Sequence, residues 1–417
     1  MKPLAFPQDL PASANGEQNT HESGSSHTLR KANDPDKVVA IVASILPNIS
    51  KILVDSDRIA AATITISTQI LMATFRWKTF PRNVTASTLE VLKTMSRIPE
   101  ATKTWRKDVA EAFNDPRFFN ADSIELLQSG WMPVLRQWAI VDKDRLPELL
   151  SRLSSPTSAG IMFGVGASSA RLEADRKTQL NLRRIAFLML SADNDTFVVN
   201  LSGLQEKLVD LMTATATSSP SSTTRAEVYM VLRALVLKNT AVHLTSFWPM
   251  VNTELYDALS SLMSIDRHDT YSVSCVLQAA KLLDVLLTIA PDDFQMREWL
   301  FITDTIDAVY RPPNWKPVAL ADGLAESLDT KAGTPHSATV PLGDAHSQPT
   351  QQGRKPLLTG STVKNVPEET LVDRVLRPFL RQLSINSFES TYRMEAADWK
   401  SCCNDLLKDM FDDDTLV

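Results

Sequence analysis

Cysteine is scarce. The three present among 417 residues, Cys275 and the adjacent Cys402 and Cys403, cannot build a disulfide framework, and no Cys/His spacing resembles a zinc site. Such usage points to a reducing compartment. Histidine is almost as rare, and four of the six, His21, His27, His336 and His346, lie in polar segments with too little apolar content to build a site. His243 reads as a hydrogen-bonded residue at a helix entrance and His268 as an exposed turn residue. An excess of positive charge is also missing: 43 Lys and Arg against 49 Asp and Glu give a net charge of −6, which removes the global electrostatic case for nucleic acid. Long apolar runs are absent as well. Val38 to Leu46 is interrupted by Ser44 and ended by Pro47, far short of the roughly 20 residues that span a bilayer. The first thirty-odd residues lack the pattern of a secretory signal. No spanning helix is expected, and any membrane contact should be peripheral.

Reactive constellations are missing too. Serines occur outside any GxSxG context, and the carboxylate runs Asp292/Asp293 and Asp412 to Asp414 read as a helix cap and a solvated tail. The stretch Ser154 to Ser169, with Gly160, Gly164 and Gly166, has neither GxGxxG spacing nor the lysine of a Walker loop, so it reads as an inter-helix loop. No catalytic, cofactor-binding or metal-ligating residue is expected, and the chain is not read as an enzyme.

What the chain does carry is helical periodicity. Val228, Val231, Leu232, Leu235 and Val236 recur at three- and four-residue spacing, and Leu244, Phe247, Trp248, Val251, Leu255, Leu259 and Leu262 repeat it after a polar break. The spacing predicts an antiparallel helical hairpin with apolar faces that need neighbours. Similar stripes run from Val38 onward, with Pro47, Pro133 and Pro249 as expected kinks. Nothing strand-like repeats. The fold class is all-α: stacked antiparallel helical pairs in an irregular HEAT- or armadillo-like array. The domain reading is a disordered segment over 1–35, a helical array over 36–320, a flexible linker over 321–365 and a C-terminal helical pair with an acidic end over 366–417. Composition alone sets the two disordered stretches.

One surface stretch stands out. FRWKTFPR, Phe75 to Arg82, places Arg76, Trp77, Lys78 and Arg82 together, a mixture suited to a membrane interface, where cations meet anionic headgroups and aromatic rings sit at their level. The plainer reading keeps the aromatics in the core and the cations in water, with their stems on apolar surface. Lys103, Arg106 and Lys107, and separately Arg183 and Arg184, read as solvated cations by the same argument.

EATKTWRKDVAEAFNDPRFF, HLTSFWPMVNTEL, and KLLDVLLTIAPDDFQMREWLFITDTIDAV followed by RPPNWKPVAL resemble, in order and spacing, the C-terminal region of the Dopey family, and most closely its fungal DopA-like members. The resemblance runs from about Val38 to Leu320 and takes in the last two helices. It implies a peripheral protein of Golgi, trans-Golgi network and endosome membranes, with roles in retrograde traffic and fungal morphogenesis. It further implies two partners, a Mon-type scaffold related to large Arf exchange factors and a type-IV P-type phospholipid flippase. A membrane surface bearing phosphatidylinositol 4-phosphate is the expected lipid contact, through Arg76, Trp77, Lys78 and Arg82. No catalytic residue is defined for the family. The competing class, a helical-repeat adaptor of nuclear transport or nucleic-acid complexes, would need a basic concave face that the net charge does not advertise.

Overall fold

The computed structural model describes residues 34–153, 167–213, 221–264, 270–303, 316, 318–332, 353–363 and 366–412. Within them the chain is helical, and the sole β feature is an isolated bridge between Arg354 and Ala397. The helices are α1 (Asp34–Ile45), α2 (Ser56–Phe75), α3 (Ala86–Met95), α4 (Thr102–Asn114), α5 (124–141), α6 (Arg145–Ser151), α7 (Ala167–Ser191) and α8 (Leu201–Met212). After them come α9 (Ser222–Lys238), α10 (Trp248–Ser260), α11 (Val273–Ile289), α12 (Leu320–Ala332), α13 (368–393) and α14 (Trp399–Met410). Several start where a side-chain oxygen accepts an otherwise orphaned backbone N–H. Asp55, Thr85, Ser123, Ser221, Ser272 and Asp398 do so.

Alternate helices form an inner row: α3 packs on α5, α5 on α7, α7 on α9 and α9 on α11. The helices between them lie outside. In α8, for example, Leu201, Leu204, Leu208 and Leu211 face inward while Ser202 and Asp210 face water. The expected stack of helical pairs is therefore the fold. Its centre departs from simple amphipathicity, because from Cys275 to Leu286 every residue of α11 is buried, as is nearly all of α9 from Thr224 to Leu237. A helix buried on every face belongs in an interior, and Arg225, Glu227, Arg233, Lys281 and Asp284 are buried along with the apolar residues. The hairpin expected at 228–262 changes accordingly: α9 has α7 and α11 as its main neighbours, and α10 packs chiefly on α11. The two still touch through Arg225, whose Nη1 lies 2.8 Å from a Glu254 carboxylate oxygen.

Prolines are absorbed by local geometry. Pro133 in α5 and Pro378 in α13 each follow a π-helical turn, Leu127–Trp131 and Val372–Leu376. A proline ring clashes with the carbonyl four residues earlier, and the wider turn carries that carbonyl aside, so both helices continue. Gly130 in the first of these turns lets α5 approach α3, since a Cβ there would lie 2.4 Å from Leu89 Cδ1. In α2 a third π turn, Ser67–Leu71, serves another end. Ile59, Thr63, Ser67, Leu71 and Phe75 are buried at a constant spacing of four, which drifts around a helix of 3.6 residues per turn, and the wide turn brings them back to one face.

Three boundaries move. Part of the 321–365 linker is structure: α12 packs on α13 with Ala321, Leu324 and Leu328 buried, and Leu358 has no exposed surface. Composition misled because the anchors are few and Asp284 holds the backbone N–H of Leu358 at 2.7 Å. The stretch opened by Asp292 and Asp293 is not one continuous helix: Asp292–Gln295 is a single α turn, followed by a 3-10 turn over Glu298–Leu300, and 304–315 lie outside the described residues. The break within the C-terminal helical pair falls after Arg393, where Met394 takes a left-handed conformation at φ 49°. The segments 1–33, 154–166, 304–315 and 333–352 lie outside the described residues, so the disorder expected of the first and last of these, and the glycine loop, are not among the structural findings.

Candidate functional site

The corner between α2 and α3 carries the four candidate contact residues. Phe75 and Phe80 pack edge to face at 5.9 Å between centroids, and Phe75 also meets Trp131 at 5.6 Å. These two rings seal the corner to the core. Arg117, held by Asp115 at 2.7 Å, donates to the carbonyls of Trp77 and Lys78 at 3.2 Å and lies over the Phe80 ring. The turn is thus braced from below, leaving Trp77 63% exposed.

The four residues share this surface but differ in charge. Arg76 is engaged by Glu111 through two hydrogen bonds, one of 3.1 Å, and Arg82 pairs with Asp122 at 3.1 Å. Surface pairs of this kind contribute little to stability, yet they neutralise the local field. Lys78 is the cation of the four with no carboxylate partner among the described residues. What the corner offers an anionic surface is one lysine beside one exposed indole.

Arg183 and Arg184 are not solvated. Arg183 is fully buried, bonded to Glu227 at 2.7 Å and to the carbonyl of Met410 at 3.0 Å, while Arg184 donates to the carbonyls of Phe113 and Asn114 at 2.8 and 2.9 Å. Burial, more than the neighbouring Arg152, lowers the Arg184 pKa to about 10. On α9, Arg233 reaches Asp409 at 2.5 Å and Asp405 at 2.8 Å, and Lys281 of α11 meets the other Asp409 oxygen at 2.5 Å. Two carboxylates of α14, next to the acidic end of the chain, are therefore inside. Their spacing of four was the available signal, since it places both on one helix face with Leu406. Arg225 and Arg233, set in otherwise apolar sequence, were the matching signal on α9.

Chemically these buried groups are quiet. Arg183, Arg233 and Lys281 each have a carboxylate partner and Arg184 is held by carbonyl oxygens, and burial pushes the thiols of Cys275 and Cys402 up to about 12, far from the thiolate a nucleophile needs. Among the described residues no group of three or more His, Cys, Asp or Glu is placed to hold a metal ion. Asp108, displaced upward to about 6, and Asp284, to about 7, are raised chiefly by burial, as are Asp175, Glu227, Glu254 and Glu298 in direction. Neither Asp108 nor Asp284 has a second titratable group arranged as its catalytic partner.

Length and composition alone would let α2 cross a membrane: it has 20 residues and a mean hydropathy of 1.2. The search for unbroken apolar runs missed it because Thr, Ser and Gln interrupt the isoleucines. In this fold it packs on α4 and on the Pro99–Ala101 turn.

Comparison with known proteins gives a consistent picture. The family model described as DOP1 C-terminal matches residues 6–393. Protein dop1 of Emericella nidulans is 48% identical over 383 residues, covering 92% of this chain and 20% of that protein. Protein DOP1 of Saccharomyces cerevisiae is 28% identical over 349 residues, covering 80% of this chain and 18% of its own length. Protein pad-1 of Caenorhabditis elegans is 26% identical over 273 residues, covering 60% and 11%. This chain thus spans about a fifth or less of the relatives it matches. No solved structure matches it. Neither the family description nor these names indicates an enzyme, and with a match over nearly the whole sequence the chain belongs to the Dopey family, aligning with its C-terminal region.

Proposed function

We propose that the chain is a non-enzymatic, peripheral scaffold of Golgi, trans-Golgi network and endosome membranes, acting in membrane traffic by holding protein partners. The observation that carries this reading is the family match over residues 6–393. An array of helical pairs supports it in kind, since such stacks present extended surfaces to other proteins. The partners proposed are a Mon-type scaffold related to large Arf exchange factors and a type-IV P-type phospholipid flippase, with a membrane bearing phosphatidylinositol 4-phosphate as a secondary contact. These partners are assigned to the whole protein, of which this chain matches about a fifth.

Lipid is the weaker half of the proposal. A lysine or arginine near an anionic surface contributes roughly 1 kcal/mol, and with Arg76 and Arg82 paired to Glu111 and Asp122 the corner brings mainly Lys78 and the Trp77 ring. Residence on the membrane then rests on protein partners. The test is to tag the chain in its own cells, image it against a trans-Golgi marker and identify what purifies with it. Colocalisation with recovery of the Mon-type scaffold is expected. A diffuse or nuclear signal without that scaffold overturns the proposal.

A further inference from the structure

A groove of about 630 Å³ runs between α2 and α4, within the range that binding sites occupy. Its two walls differ in chemistry. On the α2 side Ile64, Ser67, Thr68, Met72 and Ala73 line it, with Arg76, tied to Glu111, at the end of the helix as that wall's one charge, and no charged residue occurs from Ile59 to Phe75. An outward helix face seventeen residues long without one charge is unusual where water is the only neighbour. Ile64 is 54% exposed. On the α4 side Lys103 and Lys107 stand one turn apart, both exposed and neither in an ion pair among the described residues. Asp108 also lines the groove. It is 1% exposed, and among the described residues its Oδ2 has no hydrogen-bond partner.

The shape argues for a helix. Ile64, Thr68 and Met72 follow the four-residue ridge by which one helix packs into another, and the small side chains of Thr68 and Ala73 allow close approach. From Ile64 to Ala73 the wall rises about 1.5 Å per residue, enough for roughly three turns of a partner. A flat bilayer could touch the rim without filling the floor. The charge pattern then selects the partner: an apolar stripe against α2, carboxylates toward Lys103 and Lys107, and a donor able to reach Asp108 at the base. The same end of the array also leaves Val38, Ile41 and Ile45 of α1 half exposed, whereas the end of a helical stack that meets only water is normally polar.

We infer that the groove between α2 and α4 receives an acidic amphipathic helix from a protein partner. The inference rests on the scaffold reading and names the chemistry of one occupant. It is tested with the purified full chain and three fluorescent model helices that share one leucine face and carry Glu, Gln or Lys along its edges. The Glu helix should bind best, more weakly as salt rises, and the Lys helix worst. Lys103→Glu with Lys107→Glu should weaken the Glu helix by about tenfold or more, and Ala73→Trp should block it by filling the groove. Lys78→Glu, outside the groove, should change little. Unaltered denaturation midpoints in these exposed variants keep a folding defect from imitating the result. Equal binding of all three helices, no binding of the Glu helix, or binding that ignores these substitutions overturns the inference. So does anionic-vesicle binding that depends on Lys103 and Lys107 and that the Glu helix cannot displace, which would assign the groove to lipid. Failure here leaves the cellular location of the chain, the test of the trafficking proposal, untouched.

Discussion

The two ends of the inner row invert each other. At the α1–α2 end, apolar side chains such as Val54 and Ile64 stand in the open and the ion pairs lie on the surface. Around α9, α11 and α14 charges are inside: Arg233, Lys281, Asp405 and Asp409 form one buried network. A charge without a partner is costly to bury, and a pair gains little over apolar packing of the same volume. The network is therefore a poor source of net stability and a strong constraint on position. Asp405 and Asp409 are satisfied only when α14 lies against Arg233 and Lys281, and Asp405 also accepts the Gly360 N–H at 2.8 Å. Phe411 completes the latch by packing on Phe118, Phe119 and Phe187. One end is closed by specific partners within the chain, and the other is left with the features of a surface that takes partners from outside.

That contrast is broken most severely at its closed end. Arg233→Ala leaves Asp405 buried without a cation and Asp409 with Lys281 alone, and should cost about 3 to 5 kcal/mol, read as a lowered denaturation midpoint. Arg233→Met and Lys281→Met together with Asp405→Leu and Asp409→Leu, which remove every charge of the network, should recover much of that loss. Recovery would show that the network sets position more than stability. Trp248→Ala, away from the network, should cost a similar 3 to 5 kcal/mol by cavity formation, because the ring is 3% exposed, packs on Phe294 and donates to Asp293 at 3.2 Å. A midpoint unchanged by that substitution would turn Trp248 outward and undo the packing of α10.

A smaller effect comes from Asp284. Its carboxyl titrates near 7 in the folded chain, raised chiefly by burial and further by Asp405, against the pull of the Leu358 and Leu357 N–H groups and of Arg233. In the unfolded chain it should titrate near 4. The folded state keeps a proton that the unfolded state releases, so the associated stability is present below about pH 4 and lost as pH rises through about 7. Asp409 has the opposite sign: its cations outweigh the effect of burial, holding its pKa low, and its contribution is lost on acidification. Stability should fall by about 1 to 3 kcal/mol between about pH 5 and pH 8, since a tenfold difference in acidity between the folded and unfolded chains corresponds to about 1.4 kcal/mol. Asp284→Asn should flatten most of that slope, leaving a remnant of like sign from Asp108. Denaturation midpoints that coincide at both pH values in the parent chain would show Asp284 in contact with water.

Sequence periodicity revealed the helices because a stripe at three- and four-residue spacing has few other uses. It revealed the stacking because stripes need covers. It failed where the physics is not periodic. Arg183 and Arg184 look like any surface pair until Glu227 and the carbonyls of Phe113 and Met410 converge on them from distant helices. The packed part of 353–363 escaped notice because Leu358 is anchored by a long-range contact to Asp284 and belongs to no local pattern. At the candidate corner the four residues were legible, but their neutralisation was not, since Glu111 and Asp122 lie 35 and 40 positions from their arginines. Charge can be counted from sequence, whereas pairing at such distances depends on the fold.

The smallest expected effect sharpens the open end. If the α2–α3 corner meets an anionic membrane, its four residues should contribute unequally, because attraction at a surface follows the local net charge. Arg76 with Glu111 and Arg82 with Asp122 sum to zero, so neither arginine is a free cation, although removing one uncovers its carboxylate and lowers the local charge by one. Lys78 has no carboxylate partner among the described residues, and at roughly 1 kcal/mol its loss corresponds to about a fivefold change in partition. Reversal to glutamate should roughly double that energy. Trp77 adds what an indole gains at the headgroup level. Binding to vesicles containing phosphatidylinositol 4-phosphate should therefore be weak and salt-sensitive, with Lys78→Glu and Trp77→Ala each lowering it more than Arg82→Ala. Triple reversal of Arg76, Lys78 and Arg82 to Glu should abolish it while the far-ultraviolet dichroism stays helical. Tight binding that survives both salt and the triple reversal would move the membrane contact elsewhere, and the uncharged face of α2 with the half-exposed stripe of α1 would be the first place to look.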